Sequence, residues 1–495
     1  MSDSFPPLRG TISLLAFPKD TDHTVKVSST NQVPIYELGP AFYDEVQAAK
    51  FPQLTLRYRN NTAAALIGLE ELSTQQWQAH FAEFQPLPRN IHAPLALRYH
   101  GHQFRVYNPQ LGDGRGFLFA QFFANGKLYD LGTKGSGKTP YSRGGDGRLT
   151  LKGAFREILA TELLESYGVN TSKTFSVFET GESLERHDEP SPTRAGVLVR
   201  LNHSHIRFGT FQRLAALGEN DNIKKLVKYC VRHYYPDLAA LDDVEQASSF
   251  LRAVSHRKAQ TVAQWMMAGF VHGVLNTDNM NITGESFDYG PYRFLPKYDP
   301  AFTAAYFDQQ GLYCFGRQPS AVLWNLFQLG AALKSAFPTL PIEELLEDFG
   351  DEFNMQVRAN LMRRLNLRNP LQDERAASDL EDELVMNFFK FLDESQSLYE
   401  QTFFDLHSGI SDERLLRSPQ AENYKGLSFK ALKETLECFE ILDEMKADHP
   451  YFDNASCCSL LIDELESIWA PIAEKDDWSL FEKKLQDIRS FRGVY

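Results

Sequence analysis

This sequence has little of several things, and each shortage excludes a class. Only five of its 495 residues are cysteine (Cys230, Cys314, Cys438, Cys457 and Cys458). None forms a C-x-x-C pair, which argues against a disulfide framework and a thiolate zinc site. No run approaches the ~18 consecutive apolar residues of a membrane span. The start, MSDSFPPLRG, has neither a basic n-region nor an apolar h-region, so no secretory leader is expected and a cytoplasmic protein is. Basic residues are outnumbered, 51 against 65 acidic, for a formal net charge of -14. A nucleic-acid binder would carry the opposite balance. Repeats and low-complexity linkers are also missing.

What is present suits a large globular chain. The hydrophobic fraction is 43% with 13% aromatic, and the length allows two or three domains. Residues 91 to 210 alternate Gly-rich turns with strand-like runs such as GFLFAQFF, KLYDLGTK and AGVLVRL. One helix interrupts them, LTLKGAFREILATELLESYGV, with Leu151, Phe155, Ile158, Leu159 and Glu162 on one side and Gly168 ending it. From about 210 the pattern is mostly helical, and the last 150 residues are acidic amphipathic helices, expected to brace the fold rather than dock substrates because acidic helix faces are usually just solvated. The expectation is an α+β chain of two lobes.

Three loops could carry chemistry. GTKGSGKT, residues 132 to 139, fits G-x-x-x-x-G-K-[ST], which needs a helix to begin at its lysine. Pro140 and the glycines of YSRGGDGR make that helix implausible. Lys134 offers a second reading: it ends a strand-like stretch, and Glu157 lies 23 positions on in the interrupting helix. Protein kinases use a strand lysine and a helix glutamate in this way to orient a nucleotide's phosphates. Upstream, Gly112, Gly114 and Gly116 of QLGDGRGFLFAQFF form a flexible loop into a strand, and Arg115 could add charge.

The third loop is HGVLNTDNMNITGESFDYGP, residues 272 to 291. His272 precedes Asn279 by seven positions, the spacing of H-R-D-x-x-x-x-N, and Asp288-Tyr289-Gly290 stands where D-F-G would. Asn279 and Asp288 are oxygen donors suited to magnesium or manganese. Val274 occupies the usual base position, so Asp278 is the nearest candidate base. A polar surface turn is the bland alternative. Two HxH pairs, His100/His102 and His203/His205, have no evident third ligand, and no zinc site is expected.

The succession YHGHQF, NPQLGDGR, KGSGKTPYSRGGDGR, VRLNHSHIRFGTF, HGVLNTDNM and FDYGP resembles the selenoprotein O (YdiU) family, densely from about 95 to 320. The resemblance implies a protein-kinase-like two-lobed fold, with a strand-rich N-lobe, a helical C-lobe and a helical C-terminal extension. It divides the chain into an N-terminal extension (1–90), an N-lobe (91–210), a C-lobe (211–340) and an acidic helical region (341–495). It implies a protein adenylyltransferase that binds ATP flipped and passes AMP to Ser, Thr or Tyr hydroxyls of proteins, with Mg²⁺ or Mn²⁺. Matched motif by motif, Gly112, Gly114 and Arg115 should touch ATP, and Lys134, held by Glu157, should meet its phosphates. Asp146 and Gly147 should contact the flipped nucleotide, and Arg200 and Arg207 should pair with phosphates. Asp278 becomes the base, with Asn279 and Asp288 the metal ligands. Two departures stand out. The tail FRGVY lacks the cysteine many members carry, and Arg105 of HGHQFRVYN replaces a usual glycine. A kinase, an ATP-binding scaffold without catalysis and a P-loop ATPase relying on Lys138 remain the competing readings.

Overall fold

A computed structural model describes residues 33–187 and 189–495. The opening segment read for a leader lies outside them. The chain is α+β. Among the described residues, eight antiparallel strands make the main sheet: β1 (Tyr43–Glu45), β2 (Thr55–Arg59), β3 (Leu95–Leu97), β6 (Leu118–Ala124), β7 (Lys127–Lys134), β8 (Leu149–Thr150), β9 (Lys173–Leu184) and β10 (Thr193–Asn202). Their order is β1-β3-β6-β7-β10-β9-β2, with β8 also on β10. Between β3 and β6 a separate two-strand hairpin, β4 (Gly101–Gln103) and β5 (Val106–Asn108), stands off the sheet.

The strand period of two sorts the sheet's side chains between two cores. On β10, Val197, Val199 and Leu201 join the cluster around Trp77 and Phe81 of the helix α2 (Thr74–Phe81). Leu198 faces the other way, among the residues of α3 (Leu151–Ser166). Arg200 shares the Leu198 face by alternation, and Lys134 shares the Leu128 face on β7. Since Lys134 lies opposite Leu198 and Gly132 opposite Arg200, the two cations are diagonal neighbours on the α3 side. That register prepares the site.

The helix α3 starts where Thr150 accepts a bond from the Gly153 amide at 3.1 Å. It stops before Gly168, whose φ of +76° and contact with Arg363 leave no room for a Cβ. The helix is buried far beyond one stripe: Glu157 is 1% exposed, so it is not the solvated helix residue it could have been. Downstream, the 25-residue helix Asp243–Met267 crosses the helical half, and the stretch PIEELLEDFGDEFNMQV breaks into two helices, Ile342–Leu346 and Phe349–Arg364.

The C-terminal helices brace α3. Phe481 and Trp469 pack on Phe155, and the final helix, Ser479–Ser490, carries Arg489 to Glu162 at 3.0 Å. Arg492 and Tyr58 complete the shell around this buried carboxylate. Burial alone would raise the Glu162 pKa, but the two guanidinium groups hold it below its ordinary value. Replacing both arginines by alanine should therefore cost about 3 kcal/mol, the penalty of a buried charge without its partners. Urea unfolding measures this, and adding Glu162→Gln to the double variant should recover part of the loss.

Candidate functional site

A cavity of 690 Å³ opens between the α3 face of the sheet and the 272–291 loop. Its lining includes Gly112, Gly114, Arg115, Lys134, Asp146, Gly147, Arg200, Arg207, Asp278 and Asp288. Glu157 stands behind the wall. Lys134 Nζ lies 2.7 Å from Glu157 Oε2 and 2.7 Å from Asp288 Oδ1, joining strand, helix and loop through one ammonium. Arg200 Nη1 sits 3.6 Å from both Glu157 Oε1 and Asp288 Oδ1.

The 272–291 loop is not a surface decoration. Thr277, Met280 and Asn281 are fully buried. The His272 amide donates to Gln318 Oε1 and its Nε2 meets the Phe287 carbonyl, both at 3.0 Å. Thr277 Oγ1 donates to Gln212 and accepts from the His102 amide. Asn279 Nδ2 donates to the Val274 carbonyl at 2.9 Å, so the residue at the kinase-base position serves through its backbone. Asn279 does not itself line the cavity. Asp288 is held at φ +65°, a left-handed conformation that aspartate tolerates better than most residues.

Electrostatics separates the two aspartates. Desolvation pushes Asp278 up to about 6, against the pull of Arg207 and with the Asp288 charge adding to the rise. Burial acts on Asp288 in the same direction, but Lys134, Arg200, Arg207 and Arg115 outweigh it and hold that carboxyl well below the usual range. Two neighbouring carboxylates thus differ in kind, one a firm anion and the other poised to exchange a proton.

Several buried polar atoms here have no hydrogen-bond partner among the described residues: Asp278 Oδ1, Arg200 Nε and Nη1, and Arg207 Nε. Orphaned guanidinium N–H groups on a cavity wall fit an anion with several acceptor oxygens. The donor set also fits a hard cation. Asp278, Asp288 and Asn279 carry side-chain oxygen donors. No group of three or more His, Cys, Asp or Glu among the described residues could hold a metal unaided. One or two carboxylates completed by phosphate oxygens and water is the usual magnesium environment. The HxH histidines do not converge: His205 pairs with Asp130, while His102 stacks edge-on to Trp324.

The Gly-rich loop has a packing reason for its glycines. A Cβ on Gly112 would fall 2.3 Å from the Tyr141 ring, and one on Gly114 would fall 2.8 Å from the Tyr141 carbonyl. Asp146 is held by Arg186 at 2.8 Å near the mouth. Sequence reasoning passed over Tyr141, Arg143 and Arg186, all cavity-lining; only the glycines packed against Tyr141 hinted at it. No helix begins at Lys138, which is exposed; the next helix starts at Leu151. Lys138→Ala should therefore keep nucleotide transfer within about twofold of the parent, as surface substitutions usually do. A labelling rate measures it, and a collapse would restore the P-loop reading.

Cations on the walls and carboxylates on the floor make this a site of the phosphate-handling transferase class. The comparison with known families is specific. The family described as "Protein adenylyltransferase SelO" matches residues 26–489, and the chain belongs to it. Among curated relatives, the protein nucleotidyltransferase YdiU of Synechocystis is 43% identical over 470 residues, 93% of this chain and 98% of that one. The YdiU protein of Trichormus variabilis is 42% identical over 492 residues, covering 95% and 98%. That of Trichodesmium erythraeum is 43% identical over 484 residues, covering 93% and 98%. The chain is a nucleotidyltransferase, with ATP the substrate its family implies and proteins the acceptors.

Proposed function

We propose that this chain transfers AMP from ATP to Ser, Thr or Tyr hydroxyls of proteins and releases pyrophosphate. The observation that carries the reading is the junction at Lys134, whose ammonium meets Glu157 and Asp288 at 2.7 Å on the cavity that Asp278 also lines. ATP lies flipped, with its α-phosphate toward Asp278. The acceptor oxygen attacks that phosphorus, the bond to the β-phosphate oxygen breaks, and the hydroxyl proton passes to Asp278. Lys134, Arg200 and Arg207 hold the phosphates, while Gly112, Gly114, Arg115, Asp146 and Gly147 contact the nucleotide. Asn279 and Asp288 would hold Mg²⁺ or Mn²⁺, which spreads phosphate charge when bound. The chain works in the cytoplasm.

The same reading gives the fold its lobes. The strands β3 to β10 and α3 correspond to a kinase-like N-lobe within 91–210, with β1 and β2 of the N-terminal extension completing its sheet, and the loop-bearing helical half to a C-lobe within 211–340. Residues 1–90 and 341–495 flank them. The test is autolabelling with ATP carrying the isotope on the α- or the γ-phosphate. Label retained only from the α-position, and lost in Asp288→Ala, supports AMP transfer. Retention only from the γ-position makes this a kinase, and none from either favours a binding scaffold.

A further inference from the structure

Beside the cavity lies a shelf of large side chains that the transfer chemistry does not use. The hairpin of β4 and β5 turns through Phe104 and Arg105, at φ +49° and +64°. Gln103 and Val106 pair across it, so these are the two central residues of a tight turn that normally takes Asn-Gly. Retaining two bulky side chains in left-handed backbone is a local conflict, of the kind that collects at binding sites. What the strain achieves is visible. The Phe104 ring is set 5.0 Å from Tyr313 and 5.9 Å from Phe307. The Arg105 guanidinium lies 5.5 Å from the Trp324 ring.

Opposite the hairpin, the 303–312 loop holds Tyr306 and Phe307 out in solvent, 78% and 47% exposed, with their rings 5.1 Å apart. This loop is pinned. The buried Asp308 carboxylate accepts from the Leu312 and Tyr313 amides, both at 2.8 Å. Arg317 donates to the Gln310 and Gly311 carbonyls, and Tyr313 Oη donates to Asn276. Val106, 70% exposed, extends the apolar surface. Rings already fixed in place lose little freedom when a partner covers them, and an exposed apolar cluster of this kind marks an interaction surface.

The shelf is continuous with the site. The Phe104 amide donates to Asn276 Oδ1 at 3.0 Å, two residues before Asp278. Gln103 lines the cavity together with Asp278, and a Cβ on Gly101 would lie 3.4 Å from Asp278 Cβ. An extended segment on the shelf would reach the Asp278 carboxylate within a few residues, at ~3.3 Å each. Charge decides which segment. On a chain that carries -14 overall, the hairpin tip presents an exposed cation, Arg105, which favours an acidic residue in the segment that lies there.

We propose that the Phe104–Arg105 hairpin tip, with Tyr306 and Phe307, docks the acceptor polypeptide. It would select hydroxyl-bearing segments with an aromatic or large aliphatic residue next to an acidic one. This rests on the AMP-transfer reading for its consequence but not for its binding. The experiment uses the full chain and a panel of synthetic peptides with one hydroxyl, flanked by Phe-Glu, Phe-Lys, Ala-Glu or Ala-Lys. Peptide binding is followed by fluorescence anisotropy without ATP, and transfer by α-labelled ATP.

Phe-Glu peptides should bind best. Arg105→Glu should reverse the Glu-over-Lys preference, a change of about fivefold for each charge, as for an exposed ion pair. Phe307→Ala should weaken Phe-flanked peptides about tenfold and leave Ala-flanked ones alone. Arg105→Gly relieves the strained backbone, so its loss of charge preference cannot come from misfolding. Autolabelling should persist in all three variants. Uniform binding across the panel, no binding by any peptide, or an unchanged charge preference in Arg105→Glu would overturn the docking shelf. Intact selective binding without AMP transfer would overturn the transfer reading and leave the shelf standing.

Discussion

Lys134→Met should abolish measurable AMP transfer and also destabilise the fold. Methionine keeps the length of the side chain but removes the ammonium between Glu157 and Asp288, both 2.7 Å away. Glu157 is almost wholly inside the protein and Asp288 is mostly covered. Among the described residues, Arg200, 3.6 Å from each, is the cation left paired with both. Stranding a buried charge typically costs 3–5 kcal/mol, so urea unfolding should show a loss of about 3 kcal/mol. Removing one electrostatic contact to a transferring group costs about 10²–10³ in rate, and loss of the Asp288 position should add to this. The two effects separate in Lys134→Met/Glu157→Gln. Neutralising Glu157 should return much of the stability and none of the transfer. If that double variant regained activity, Lys134 would be a structural lysine only.

The Lys134–Glu157 pair also shows what the sequence can disclose. Strand and helix are each local patterns, a strand-like run in KLYDLGTK and helical spacing after Thr150, so the pair was legible from spacing once both elements were read. The 272–291 loop was legible for a similar reason: its residues act within a few positions of one another, as when Asn279 caps the Val274 carbonyl. Contacts across hundreds of residues leave no such trace. Nothing near Glu162 announces that Arg489, 327 positions on, will neutralise it. Nor does the stretch before residue 90 announce that Thr55–Arg59 will pair with β9 as the sheet's edge strand. That the C-terminal helices would brace α3 in particular was hidden in the same way, because an amphipathic face reads alike whichever element it covers. Tyr141 was missed because its signal belongs to its partners: the glycines at 112 and 114 are small so that it can pack there.

Asp278→Asn should lower the rate of AMP transfer by about 10²- to 10⁴-fold, the usual contribution of a general base, while ATP binding changes little. Asparagine preserves the shape, and the Arg207 contact goes to the Asp278 backbone carbonyl at 2.7 Å, so the substitution does not touch it. The 3-10 turn Thr277–Asn279 should likewise hold, because its anchors are Thr277 and Asn276. What the variant loses is the acceptor for a hydroxyl proton. Oδ1 of Asp278 is buried and without a partner among the described residues, which is expensive for an atom that only maintains the fold. A purely structural Asp278 predicts the reverse pattern: the amide would gain stability from losing an uncompensated buried oxygen, with transfer barely altered. Asp288→Ala provides the contrast, since it should remove metal-dependent nucleotide binding along with transfer. Single-turnover labelling beside equilibrium ATP binding reads the two variants apart. Slow transfer with intact binding in Asp278→Asn, against lost binding in Asp288→Ala, assigns proton transfer to the first aspartate and phosphate positioning to the second.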